Sequence, residues 1–259
     1  MRLLQETEAP AAANVAAAGN GTGEEAQGDA PVTKVELFHG DGLDGMTTLD
    51  TGSVDVVVTS PPYNLDVQYH RYRDNKPRPL YLDWCERWGR EVKRVLTPHG
   101  SLFLVVSGSP TNPMLPHQLA LRFSKFFVLQ NEITWVKSIT LDQDGHETVS
   151  RGHFKPINST RFINDCREAV FHFTKGGDVV INRLAIGVPY GDKSNIGRWN
   201  HTAGSDLRCR GNVWFVPYQT IQNRDRQRPH PATFPPRLAE MCIKLHGHPR
   251  RRVGASRPP

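Results

Sequence analysis

The chain has 259 residues, enough for one elaborated domain with its own core at the usual ~100–200 residues per domain. Its 37% hydrophobic and 22% charged content, with 22 glycines and 20 prolines, excludes collagen, coiled coil and wholesale disorder, and no apolar run approaches the ~18 residues of a membrane helix. The formal charge of +6 is uneven: residues 1–30 hold one arginine against five acids, so the basic surplus lies in the rest of the chain, where it fits a polyanion such as nucleic acid.

Residues 1–30 are alanine-rich, acidic and without aromatics, which predicts a disordered leader rather than a secretory or transit signal. An intracellular protein is expected, cytoplasmic and nucleoid-associated in a bacterium. From Lys34, KVELFHGDG reads as a strand ending in a glycine turn, followed by a short helix-like GMTTL. Val54–Val58 is a continuous β-branched run, as in a strand buried on both faces. A polar, basic, proline-interrupted loop follows it. Leu80 to Leu96 has helical spacing and stops at TPHG, and SLFLVVS is a second buried-type strand. Strands alternating with helices predict an open, mostly parallel α/β sheet.

Further on, FVLQNEITWVKS and EAVFHFTKG are strand candidates flanking a long polar stretch. Residues 176–229 carry eight basic residues interleaved with Tyr190, Trp199, Trp214, Phe215 and Tyr218, a mixture suited to phosphates and unstacked bases or to a solvated insertion. The expected organisation is a leader over 1–30, a catalytic α/β region over 31–175, a basic target-recognition insertion over 176–229, a helix entry over 230–247 and a disordered tail over 248–259.

Cys85, Cys166, Cys209 and Cys242 are scattered without a C-x-x-C pair, so neither disulfides nor zinc are expected. His246 and His248 read as exposed loop residues, and no metal is assigned.

The sharpest chemical feature is Ser60-Pro61-Pro62-Tyr63-Asn64, at the point where the Val54–Val58 strand runs out. Strand carboxyl ends are where open α/β sheets hold ligands. Two prolines stiffen the segment and present carbonyl acceptors, and Tyr63 adds a flat ring, which together suit a planar ligand bearing an amino group.

VVVTSPPYN resembles the catalytic motif of the S-adenosylmethionine-dependent DNA amino-methyltransferases, whose Ser-Pro-Pro-Tyr form is typical of enzymes acting on N4 of cytosine and whose Asp form is more usual for N6 of adenine. HFKPINSTRFINDCREAVFHFTKGG and RPHPATFPPRLAEMCIKLHG extend the resemblance over residues 34–247. It implies a Rossmann-like methyltransferase fold, S-adenosyl-L-methionine as cofactor and double-stranded DNA as partner. Ser60, Pro61, Pro62 and Tyr63 would be catalytic, with Ser60 and the Pro61 carbonyl holding the amine and Tyr63 stacking on a flipped base. Asp41, His230, Pro231, Thr233 and Phe234 would bind cofactor, and Asn64, Arg71, Arg73, Lys76, Arg198, Arg208 and Arg210 would contact DNA.

No Asp-Pro-Phe-x-Gly-x-Gly strand follows His246 as the family order leads one to expect, because the chain continues GHPRRRVGASRPP. The expectation is therefore a sheet incomplete at its C-terminal cofactor-binding strands and weak cofactor binding, with a catalytically inactive DNA-binding remnant as the alternative. Gly40-Asp41-Gly42-Leu43-Asp44-Gly45 also satisfies the dinucleotide fingerprint, a remote pointer to a nicotinamide-dependent oxidoreductase.

Overall fold

The structure, a computed structural model, describes residues 2–4, 34–67, 69, 72–143, 146–154, 156–194, 206–218 and 233–247. The chain separates into two units, Met1–Leu49 and Asp50–Pro259.

In the first unit β1 (Arg2–Leu4) pairs in parallel with β2 (Glu36–Phe38), and α1 (Gly42–Thr47) follows. A Cβ on Gly40 or Gly45 would stand 2.8 or 2.7 Å from the Phe38 ring, so both glycines let that ring lie against the turn. Packing accounts for these two glycines of the fingerprint without a dinucleotide. Asp41 is the N-cap of α1 and accepts the Leu43 amide at 2.8 Å.

The second unit runs β3 (Val54–Thr59), α2 (Arg78–Val95), β4 (Leu96–Val106), α3 (Leu115–Phe123), β5 (Val128–Val136), β6 (Ser138–Gln143), β7 (His146–Gly152), β8 (Arg167–Thr174), β9 (Val188–Pro189), β10 (Leu207–Arg208), β11 (Val213–Phe215) and α4 (Pro236–His246). Five strands form one sheet in the order β11-β5-β8-β4-β3. β3 is parallel to β4 and β11 to β5, while β8 runs antiparallel to both of its neighbours. Four strands thus point one way and one opposes them, in keeping with the mostly parallel sheet expected. β3 is only half-buried, not buried on both faces as its apolar run predicted, and among the described residues it is an edge strand of this sheet.

The core forms on both faces of β4, whose side chains alternate as a strand requires. Phe103 and Val105 join Ile133, Trp135, Val170 and Trp214 beneath Leu238, Met241, Cys242 and Leu245 of α4. On the helix pair α2–α3, Phe123 meets Trp88 at 5.2 Å and Phe173 of β8 at 5.6 Å between ring centroids. Buried Tyr81, Leu82, Cys85, Trp88, Val92 and Val95 form one stripe of α2 at helical spacing. Gly89 lies in that stripe, and a Cβ there would stand 2.6 Å from Phe123, so glycine sets how closely α3 approaches.

Several expectations give way. TPHG does not separate helix from strand: β4 begins at Leu96 and absorbs Thr97–Gly100 as a shift in its pairing with β3. Part of the long polar stretch is the β6–β7 hairpin, where β-branched Ile139, Thr140, Thr148 and Val149 supply strand preference inside a polar composition. Trp214 is buried in the core rather than available to bases, because β11 adds to the sheet beside β5. His246 is buried, not exposed, and its Nδ1 lies 2.9 Å from the Ser101 hydroxyl, pinning the end of α4 to β4. His248 lies outside the described residues. The four cysteines are free.

Candidate active site

Strand direction assembles the site. β3, β4, β5 and β11 end on the same side of the sheet, and the reversed β8 begins there, so residues flanking all five strands meet at one rim. Ser60 follows β3, Ser107 follows β4, Lys137 follows β5 and Tyr218 follows β11, while Asp165 precedes β8 and Glu168 lies near its start.

A continuous hydrogen-bonded chain crosses this rim. The exposed Ser60 Oγ is 2.7 Å from the Tyr63 hydroxyl, which donates to Glu168 Oε2 at 2.8 Å with Val105 O as a second acceptor at 3.3 Å. The other Glu168 oxygen receives Lys137 Nζ at 3.3 Å and the Tyr218 hydroxyl at 3.4 Å. Beside it, Ser107 donates to Asp165 at 2.7 Å. Burial pushes the Glu168 carboxyl up, opposed by the Lys137 ammonium and the Tyr63 hydrogen bond. Burial, and then the Glu168 carboxylate, hold the Tyr63 phenol well above its ordinary value, so it stays protonated.

The two prolines differ in use. The Pro62 carbonyl accepts Tyr81 Oη at 2.7 Å, which ties the motif to α2. The Pro61 carbonyl has no hydrogen-bond partner among the described residues. Ser60 is exposed, so its Oγ is the acceptor of the turn that stands open to a ligand, whereas Pro61 is buried.

The loop after the motif is braced from within. Buried Asp74 accepts the amides of Asn64, Leu65 and Val67 at 2.9, 3.0 and 3.1 Å. The Asn64 side chain bonds both backbone groups of Lys76, at 2.7 and 2.8 Å. Lys76 Nζ sits over the Tyr72 ring at 3.9 Å. An open polar hollow of about 450 Å³ lies between this loop and Ser109, Thr111 and Asn112.

The remaining sequence-derived residues scatter. Arg73 and Arg208 are exposed, whereas Arg210 is half-buried and donates to the Ile186 carbonyl at 2.9 Å. Thr233 is exposed, and Phe234 packs against the core beside α4. Asp41 belongs to the first unit, where it caps α1. Arg71, Arg198, His230 and Pro231 lie outside the described residues. No group of three or more potential metal ligands occurs among the described residues. Sequence reasoning missed Glu168, Lys137, Ser107 and Asp165. A lone carboxylate opening the otherwise apolar AVFHF run, and a lysine closing ITWV, are the only local signals of the first two.

Fold and site together define an α/β protein with polar groups gathered at the rim where four strands end and the reversed β8 begins. Residues 54–253 match the family described as DNA methylase, and the chain belongs to this N6/N4 methyltransferase family. It is 26% identical over 211 residues to the type II methyltransferase M.HpaI of Haemophilus parainfluenzae, covering 80% of this chain and 58% of the relative. It is 23% identical over 220 residues to the DNA adenine methyltransferase YhdJ of Escherichia coli strain K12, covering 82% and 67%. The chain thus spans well under two thirds of M.HpaI. Among solved structures it resembles PvuII DNA methyltransferase (cytosine-N4-specific), with a TM-score of 0.54 and 18% identity over 81% of this chain and 69% of that one. The likeness agrees with the methyltransferase-type α/β fold expected from the sequence. No described helix is long and apolar enough to cross a membrane.

Proposed function

We propose that this protein is a DNA amino-methyltransferase that methylates N4 of a cytosine flipped out of double-stranded DNA, with S-adenosyl-L-methionine as donor. The observation that carries this reading is the exposed Ser60 Oγ, hydrogen-bonded to Tyr63 on a stiff turn at the end of β3. Ser60 Oγ, together with the neighbouring Pro61 carbonyl, would accept the two N–H bonds of an exocyclic amine. Its nitrogen lone pair is delocalised into the ring, and hydrogen bonds from both N–H groups favour the pyramidal form in which that pair is available. Bound S-adenosyl-L-methionine would supply an electrophilic methyl group. Two carboxylates, Glu168 paired with the Lys137 ammonium and Asp165 bonded to Ser107, lie at the rim, a balance that suits a sulfonium cation.

Family membership supports DNA as the substrate class. Serine rather than aspartate at the first motif position, and the cytosine-N4-specific PvuII enzyme among the similar structures, favour cytosine. The adenine reading is favoured by the likeness to YhdJ, named an adenine methyltransferase. Exposed Arg73 and Arg208 are suited to phosphate contacts, whereas Asn64 and Arg210 are committed to holding their own loops.

The test is incubation of the protein with DNA and isotope-labelled S-adenosyl-L-methionine, followed by mass spectrometry of the nucleosides. Labelled N4-methylcytosine is expected. Label in N6-methyladenine instead would replace cytosine by adenine, and no labelled nucleoside would refute the methyltransferase reading.

A further inference from the structure

We propose that Glu168 is a positioning residue that sets the direction of the hydrogen-bond chain through Tyr63, so that Ser60 meets the substrate amine with its lone pairs rather than its proton. This role rests on the amine-methylating reading above.

A serine hydroxyl is both donor and acceptor, and only its acceptor side serves an amine N–H. Nothing in the Ser-Pro-Pro-Tyr turn itself selects that side. The selection comes from β8. An ionised Glu168 can only accept, and Val105 O, the other group facing the Tyr63 hydroxyl from within, can also only accept. The single phenolic proton therefore points inward. The Tyr63 oxygen then presents a lone pair to Ser60 at 2.7 Å, and the Ser60 proton is donated to it. The opposite direction would leave two oxygens 2.8 Å apart with no proton between them. Both Ser60 lone pairs are left for the substrate. On its far side Glu168 is held by the donors Lys137 and Tyr218, which fix which oxygen faces Tyr63; burial raises the carboxyl, and the Lys137 ammonium opposes that rise. The raised Tyr63 phenol agrees with this arrangement, since the chain needs the phenolic proton in place.

The isosteric variant E168Q reverses the direction. Lys137 and Tyr218 both donate, so the amide oxygen takes their side and its NH₂ faces Tyr63. The phenolic proton is then free to turn to Ser60, because Val105 O at 3.3 Å is the weaker competitor. The experiment is a double-mutant cycle of E168Q and Y63F, measured by single-turnover methyl transfer and by binding of a labelled DNA duplex. E168Q in the wild-type background is expected to lower the methyl-transfer rate by about tenfold or more, with DNA affinity unchanged. In the Y63F background, where the chain is already cut, the same change is expected to alter the rate less than about twofold. Equal losses in the two backgrounds would mean that Glu168 serves only packing, and would overturn the proposal.

A second readout does not depend on activity. The infrared difference between wild type and E168Q at neutral pH is expected to show an ionised carboxylate. A protonated carboxyl there would overturn the proposal. If the wild-type protein methylates no DNA, the functional reading fails, while the infrared measurement still decides the direction of the chain.

Discussion

The phenolic oxygen of Tyr63 lies 2.8 Å from Oε2 of Glu168, although the two residues are 105 positions apart in the sequence. One belongs to the turn after an edge strand and the other to the start of the single reversed strand of the sheet. Through this contact the stiff proline turn becomes part of a rim built by five strands.

Replacing Ser60 with alanine removes the exposed hydroxyl of the turn. Since Ser60 is exposed, S60A is expected to keep the wild-type melting temperature within about 1–2 °C, a stability change under ~0.5 kcal/mol. Methyl transfer is expected to fall by roughly 10²–10³-fold, the usual cost of losing one aligned hydrogen-bonding group. Thermal melting beside a labelled-methyl assay checks both, and a full rate in S60A would remove Ser60 from the chemistry.

Truncating Glu168 acts differently. E168A strands the largely buried Lys137 ammonium, and its expected cost is about 3–5 kcal/mol of folding stability. E168Q keeps the shape and hydrogen-bonding capacity and is expected to cost less than half of that. Urea denaturation of the two variants side by side makes the comparison.

Acid is expected to weaken the fold through His172. Burial, with His246 close by, depresses this imidazole from 6.5 to about 4. The buried ring is held neutral between the Asn131 amide, which donates to its Nδ1 at 2.9 Å, and Ser101 Oγ, 2.9 Å from its Nε2. Phe103 stacks on it at 4.5 Å. Between pH 6.5 and 4 the unfolded chain binds a proton that the folded one excludes, so this stabilisation is present above pH 6.5 and is lost as pH falls toward 4. The shift predicts a loss of about 2 kcal/mol between pH 7 and pH 5 from this group. Urea titrations at the two pH values should show it, and H172Q should flatten the dependence.

Gly89 tests helix packing. In an exposed helix, glycine to alanine would gain up to about 1 kcal/mol. Here G89A is expected to lose about 1–3 kcal/mol instead, because the new methyl meets Phe123, itself packed among Trp88, Phe126 and Phe173. Partial recovery in G89A/F123L would place the cause at that contact.

Asp74 holds three amides of the loop that follows the Ser-Pro-Pro-Tyr turn. D74A is expected to cost about 1.5–3 kcal/mol and to raise the protease sensitivity of residues 64–76. Limited proteolysis with mass mapping reads this out directly.

Local sequence determined a good deal. Val54–Thr59, the apolar stretch of β4, the stripe of α2 and the strands Val128–Val136 and Arg167–Thr174 each carry enough consecutive or periodic apolar residues for their element to be read from the sequence. The proline pair fixes the backbone of Ser60–Tyr63 by covalent geometry, which is why the motif is legible from its residues alone. Short or polar elements were illegible. The β6–β7 hairpin carries its strand preference inside a polar composition that hides it, the three residues of β11 are too few to stand out, and both form because a partner strand satisfies their backbone. The burial of His246 was equally hidden, because its partner Ser101 is 145 positions away. Only the tertiary structure decided which groups surround the Ser-Pro-Pro-Tyr turn. Strand order and the reversal of β8 bring Glu168 against Tyr63 and Lys137 against Glu168, and strand order depends on long-range pairing that no local window of the chain contains.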